Sequence, residues 1–352
     1  MRKVVYLLWM LSGMLANLQA QTTVREADNA FFKKDPFWRG ADGAATVALP
    51  HGRVLWLFSD TFVDQDSTGK RSNSRRMIRN SIAIQNSEDL GADLTFYYGG
   101  TGRDPDDFFK APGKNWYWTG HGIMVKNKLL VFLMEETATE KGLGFEAVGW
   151  HVAVIENPSD SPGAWIVNYY RGPESFGVVV GSSAVLQDRG YLYAFGVKEP
   201  DTHETYLLRF RKRKLLKGDL SGLEWWCKGS WTRGVRAEPA GASLFSGQTE
   251  FSVHYDSGRK KYIQIQTHGY GRASIGYRLA DRLTGPWSEP VLFYTPPLPA
   301  DTQFTYSANA HPEFESAGLY VTYNVNDSDF GSLLGNEAIY FPQVIELLWG
   351  KK

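Results

Sequence analysis

The chain has 352 residues with 38 basic and 38 acidic side chains, so its charge balance gives no electrostatic footprint for nucleic acid or an anionic membrane surface. Aromatic residues make up 14% of it, with 12 Trp and 36 Gly, a surplus that suits either a β-rich core or stacking on the apolar C–H faces of sugar rings. One cysteine, Cys227, excludes an internal disulfide and a cysteine-built metal cluster and reads as a small buried apolar residue.

Residues 1 to 20 open with Arg2 and Lys3, continue through the apolar run VVYLLWMLSGMLANL and end at Ala20. A basic start, an apolar centre and a small residue at the exit describe a secretory signal peptide, and the apolar part is short for a membrane span. The expectation is cleavage near Gln21, no integral membrane segment afterwards, and a soluble monomer that is secreted or periplasmic.

The first stretch with strong patterning is residues 38 to 61, WRGADGAATVALPHGRVLWLFSDT. Two apolar, β-branched-rich runs flank Pro50-His51-Gly52, which predicts an antiparallel hairpin with a tight turn. Asp42 and Asp60 are each nine positions from His51. A symmetric register therefore sets two carboxylates side by side at the hairpin's open end, within the roughly 4.5–5.5 Å Cβ spacing of a cross-strand pair.

The same pattern recurs in residues 119 to 137, 181 to 199, 248 to 269 and 308 to 326. Each copy is followed by a further alternating run: residues 80 to 85, 149 to 157, 205 to 211, 273 to 280 and 338 to 347. Fourth-strand candidates are DLTFYYGG, AWIVNYYRG, LEWWCKG and PWSEPVLFY. Four strands per unit, repeated, is the signature of a β-propeller, so the sequence predicts an all-β fold: one five-bladed domain over residues 21 to 352. The last unit lacks a fourth strand, and a segment between Thr22 and Phe32 is expected to supply it. No stretch keeps a helical period, and LADRLTGPW is at most a turn. A β-sandwich is the alternative architecture.

In a propeller the first strand of each blade lines the central channel. Hairpin alignment then brings Asp42, His121, Ser182 or Ser183, Glu250, Asn309 and His311 to one mouth. Asp60, Glu135 or Glu136, Lys198, Thr267 or His268, and Asn324 sit at the ends of the second strands. Polar groups from five distant segments at one repeated position mark a site, because buried charge is costly unless paired.

Glycosidic cleavage needs two carboxyl groups, one protonated to assist the leaving oxygen and one ionised. Asp42, Asp60 and Glu250 supply three. Repulsion within the Asp42–Asp60 pair should raise one pKa and leave the other group ionised. Alternatively Glu250 donates the proton while Asp60 tunes or orients. Taken singly, each has a plainer alternative: Asp42 as a turn residue before Gly43, Asp60 as a strand-end cap, and Glu250 as a solvated edge charge. His121 and His311 are individually structural histidines; together they could bind substrate hydroxyls or a structural divalent cation in the channel, although no cofactor is required. Arg79 is expected to hold a carboxylate ionised. Trp116 and Trp118 rim the mouth as a sugar platform or pack between blades. With Asn309 and Glu135 these complete the expected substrate-binding set; no metal ligand is assigned.

GADGAATVALPHGRVLWLFSDT, IRNSIAIQ, LTGPWSEP and NAHPEF with LYVTYNVN resemble exported five-bladed propellers long catalogued as domains of unknown function, some of which are endo-D-arabinanases. More distantly the chain is similar to the arabinanase and β-xylosidase group, whose acidic residues at the channel mouth are catalytic. The resemblance covers most of residues 35 to 347 and implies Asp42 and Asp60 as the acidic pair. Ser59 departs from the pattern, standing where a glycine commonly precedes that aspartate.

The reading that follows is an exported glycoside hydrolase acting on a furanose-containing, arabinan-like polysaccharide. Its rivals are a non-catalytic carbohydrate-binding propeller of a glycan-utilisation system and, from a third class, a lyase using a histidine or tyrosine base on uronate polymers.

Overall fold

A computed structural model describes residues 21–25, 29–74, 77–101, 103–200, 202–234, 241–314 and 316–349; the expected signal peptide lies outside them. The fold is a five-bladed β-propeller. Blade one comprises Trp38–Leu49, Arg53–Val63, Ser81–Gln85 and Leu94–Tyr97, with the short strand Met77–Ile78 beside its second member. Blade two comprises Trp116–Val125, Lys128–Ala138, Phe145–Ile155 and Val167–Arg171. Blade three contains Val178–Asp188, Tyr191–Lys198, Thr205–Arg211 and Glu224–Cys227, and adds a fifth strand, Ser230–Arg233, that the sequence pattern does not show. Blade four is Ser252–Asp256, Lys261–His268, Ser274–Ala280 and Val291–Tyr294.

Blade five is built from both ends of the described chain. Gln303–Ala310, Leu319–Asp327 and Gln343–Leu348 pair in order, and Gln21–Val24 adds antiparallel to the last of them, Gln21 opposite Leu348 and Val24 opposite Ile345. This is the closure expected from the missing fourth strand. It satisfies the outer edge of blade five, which would otherwise present unpaired backbone groups.

The five first strands contact one another in a closed cycle around the axis. Between each neighbouring pair of blades lies one apolar cluster: Phe32, Trp38, Trp56, Phe341 and Val344 between blades five and one, and Leu55, Ile82, Tyr117, Val131 and Ile155 between one and two. Phe132, Trp150, Val180 and Leu208 fill the next space, then Phe195, Leu207 and Phe251, then Ile265, Ile275, Val321 and Ile345. Much of the aromatic surplus serves these layers.

Three boundaries differ from the sequence reading. The expected last strand, 338 to 347, begins only at Gln343, because residues before it form a loop in which Tyr340 adopts φ 63°. Blade five's hairpin starts earlier, at Gln303, so Tyr306 rather than Asn309 faces Asn324. The blade-two third strand also starts earlier, at Phe145.

Candidate active site

The first hairpin turns at His51 and Gly52, both at φ 66°, the left-handed pair that matches the twist of an antiparallel ribbon. Its register is symmetric, with Thr46 opposite Trp56 and Ala41 opposite Thr61, but is bulged between Ala41 and Ala45. A bulge re-aims side chains, and here it requires glycine. Gly43 has φ 92°; Gly40 has φ 112°, and a Cβ there would meet the Tyr340 carbonyl oxygen at 2.3 Å. Asp42 and Asp60 thus sit at one level of the hairpin's open end, and each is partly open to the channel mouth.

The two carboxyls have different surroundings. Asp60 accepts from the Trp118 indole N–H at 2.8 Å and from Arg79 Nη1 at 3.2 Å on both oxygens. Asp42 accepts on Oδ2 from the phenols of Tyr306 (2.9 Å) and Tyr340 (3.3 Å), while its buried Oδ1 has no hydrogen-bond partner among the described residues. Burial pushes Asp42 well above the usual carboxylate range, and the charges of Asp60 and Glu250 push it further. Asp60 is also raised by burial, but Arg79 and the Trp118 N–H pull against that. Glu250, in the loop just before blade four, is pushed up to about 7 by burial, with Ser307 bonding it in the opposite sense and Asp60 adding to the rise. Of the three, Asp60 is the one with a guanidinium and an indole N–H on its oxygens, contacts that favour its ionised form.

Neighbouring blades hold this arrangement. Ser307 donates to the Gly43 carbonyl at 3.0 Å, and Ser183 to that of Thr249, beside Glu250, at 2.9 Å. Asn309 and Asn324 donate to the carbonyls of Gly43 (3.3 Å) and Ala41 (2.9 Å). The structure therefore uses Asn309 to brace the bulge. Ser59 accepts from the Thr119 backbone N–H at 3.2 Å, and that bond between blades one and two occupies the hydroxyl that distinguishes it from glycine.

The remaining expected residues divide. Arg79 reaches Asp60 and lies over the Trp116 ring at 4.5 Å, and Trp116 packs edge-on against Trp118 at 6.2 Å. His121 has Nδ1 2.9 Å from the Gly122 carbonyl, and burial lowers its pKa to about 4. His311 is buried with Nδ1 at 2.8 Å from Thr46 Oγ1 and Nε2 at 2.7 Å from Thr322 Oγ1. Both ring nitrogens thus have threonine hydroxyl partners in this structure. Among the described residues no group of three or more His, Cys, Asp or Glu is arranged to hold a metal ion.

Glu135 does not face the mouth. It bonds Asn115 at 2.7 Å and lies 3.6 and 3.7 Å from His151 and Arg171. Glu136, the next residue and so on the opposite face of the strand, feels the charge of Asp60 instead, and burial with the charges of Glu199, Asp60 and Glu146 pushes it up to about 8.

Sequence reasoning missed Tyr306, Tyr340 and Arg71. The Arg71 side chain is fully buried and donates to the carbonyls of Arg39, Leu333, Asn336 and Ile339 at 2.6–3.0 Å. It thereby ties the loop carrying Tyr340 to the first hairpin. No spacing rule exposes such a contact; the only signal was an arginine and two tyrosines in otherwise unpatterned segments.

The chain belongs to the DUF5005 family, described as a domain of unknown function, whose model matches residues 26–348. A Bacteroides ovatus protein provisionally named a hydrolase has a similar crystal structure: 19% identity, TM-score 0.74, covering 93% of this chain and 90% of that one. That likeness supports the fold alone. Also similar are a GH43_1 enzyme from Xanthomonas citri, complexed with xylotriose (15%, TM-score 0.49, covering 91% and 93%), and an alpha-L-arabinanase from Cellvibrio cellulosa (10%, 0.48, 88% and 91%). At that level of similarity neither bears on what this chain does. No curated protein matches it.

Proposed function

We propose that this DUF5005 chain is a glycoside hydrolase that cuts a furanose-containing polysaccharide of the arabinan class, D-arabinan first among them, and that Asp42, Asp60 and Glu250 carry the reaction. The observation that carries the proposal is the inequality of three carboxyls grouped at one mouth. Asp60 has a guanidinium and an indole N–H on its oxygens, whereas burial takes Glu250 up to about 7. One group is thus ionised while another still holds a proton near neutrality, the division glycosidic cleavage requires.

Glu250 then protonates the leaving glycosidic oxygen, and Asp60 acts as base or nucleophile at the anomeric carbon. Asp42, kept neutral by its burial beside Asp60, holds a proton next to that carboxylate and so tunes it. The substrate class rests on the resemblance of the first-hairpin motif to exported propellers that include endo-D-arabinanases. The leader-like first twenty residues support export to the periplasm or medium.

The test is product release from a panel of D- and L-arabinans by the wild-type chain, Asp42→Asn and Asp60→Asn. Asp60→Asn should lose activity by roughly 10²-fold or more, the range for removing a general acid or base, and Asp42→Asn, which keeps that position neutral, should lose less. Full activity in both overturns the assignment. Saturable glycan binding by the wild type with no product overturns hydrolysis in favour of a binding propeller.

A further inference from the structure

Tyr270 is 90% exposed, the most exposed of the large hydrophobic side chains among the described residues. It sits in the loop between the second and third strands of blade four, Lys261–His268 and Ser274–Ala280. That end of the blade corresponds to the end of blade one where Asp60 lies. An isolated exposed aromatic needs no explanation. This one is not isolated: its ring lies 6.2 Å from that of Phe304, with planes 13° apart, and Phe304 lies 5.5 Å from Tyr306. Tyr306 in turn places its hydroxyl on Asp42. Three aromatic rings thus run without a break from solvent to the carboxyl group at the centre of the site.

The backbone beneath the outermost ring is fixed. Gly269 and Gly271 take φ 94° and 68°, a path open to glycine at little cost. The Gly271 carbonyl accepts from the backbone N–H of Thr305 at 3.1 Å, and the neighbouring Arg272 is held by the Leu298 carbonyl and Asp301 at 2.8 Å each. The loop is therefore pinned to the strand that carries Phe304 and Tyr306, and Tyr270 is presented to water at a set position. Exposing an aromatic on an immobilised backbone forgoes burial without any local gain in the free protein. A partner with flat apolar faces and a polar rim would recover it.

From this row we infer that Tyr270 and Phe304 form a platform for a glycan chain, extending the site along blades four and five, away from the Trp116–Trp118 side. The ligand class is a run of neutral sugar rings, whose C–H faces stack on aromatic planes while their hydroxyls stay hydrated. The inference rests on the carbohydrate reading above and adds where the rest of the polymer lies.

The probe is native-gel retardation of the full chain in gels containing arabinan, xylan or galactan, run with the wild type, Tyr270→Ala, Phe304→Leu and Tyr255→Ala. Tyr255 is a half-exposed tyrosine at the opposite end of blade four's hairpin, so its variant controls for loss of an aromatic anywhere. Expected is retardation of the wild type and Tyr255→Ala, with apparent affinity lowered about three- to tenfold in Tyr270→Ala, the range for one aromatic stack, and lowered likewise in Phe304→Leu. Wild-type retardation that Tyr270→Ala fully retains overturns the platform and leaves the proposed function standing. A wild type retarded by none of the three polymers overturns the platform together with the carbohydrate reading.

Discussion

Trp118 donates its indole N–H to Oδ1 of Asp60 at 2.8 Å, joining the first strand of blade two to the second strand of blade one. The bond makes Trp118 part of the electrostatics of the site as well as its rim. It favours the ionised form of a carboxyl that burial would otherwise neutralise.

Removing that donor should therefore shift a titration. In Trp118→Phe the acid limb of the kcat/KM profile is expected to move to higher pH by about one to two units, given about 1.5–3 kcal/mol for a hydrogen bond to a charged group and 1.36 kcal/mol per unit. Arg79→Ala should move it the same way. An unmoved limb in both variants would show that Asp60 does not set it.

On the proposed mechanism the alkaline limb reports Glu250. With its pKa pushed up to about 7, activity should fall as pH rises through that value and the proton for the leaving group is lost. Glu250→Gln should lower kcat by roughly 10²–10⁴ and abolish this limb in what remains. A profile still falling near pH 7 in Glu250→Gln would assign the limb to another group.

Arg71 should matter for folding as much as for the site. Its guanidinium bonds four backbone carbonyls and lies against Phe62, Tyr340 and Phe341. Arg71→Ala leaves those acceptors buried and unpaired, at an expected cost of at least about 3 kcal/mol in urea unfolding. Arg71→Lys should fall between, since an ammonium cannot reach four acceptors in a planar fork. A loss under about 1 kcal/mol for the alanine variant would mean that other contacts hold the loop.

Glu136 gives a stability signature with a definite sign. A carboxyl whose folded pKa is raised binds its proton more tightly in the native state. Its contribution is complete below the unfolded value near 4.5 and is lost as pH climbs through the folded value of about 8. Thermal melts of wild type and Glu136→Gln should therefore diverge between pH 5 and 8, with the variant gaining relative to wild type as pH rises. Parallel curves would show that Glu136 is not buried as a neutral acid.

Much of the fold could be read from residues 38 to 61 and their four recurrences, because strand pairing has a two-residue period that turn position fixes locally. The same local rule brought Asp42 and Asp60 to one level of a hairpin. It left Glu135 and Glu136 undivided, and only packing shows that Glu136 is the one near the charge of Asp60. It also failed in blade five, where the hairpin begins at Gln303 and brings Tyr306 to Asp42.

By itself the sequence determined the five-fold repetition, the need for a closing strand from the segment around residues 22 to 32, and the placing of two aspartates at equal distance from one turn, since each follows from short-range periodicity and edge satisfaction. Only the tertiary structure decided how unequal the surroundings of the three acids are. That depends on Arg79, Trp118, Tyr306, Tyr340 and Ser307, which blade packing brings to Asp42, Asp60 and Glu250 from as far as 298 positions away. Burial and neighbouring charge, the quantities that set proton affinity, belong to that packing and leave no periodic trace in the chain.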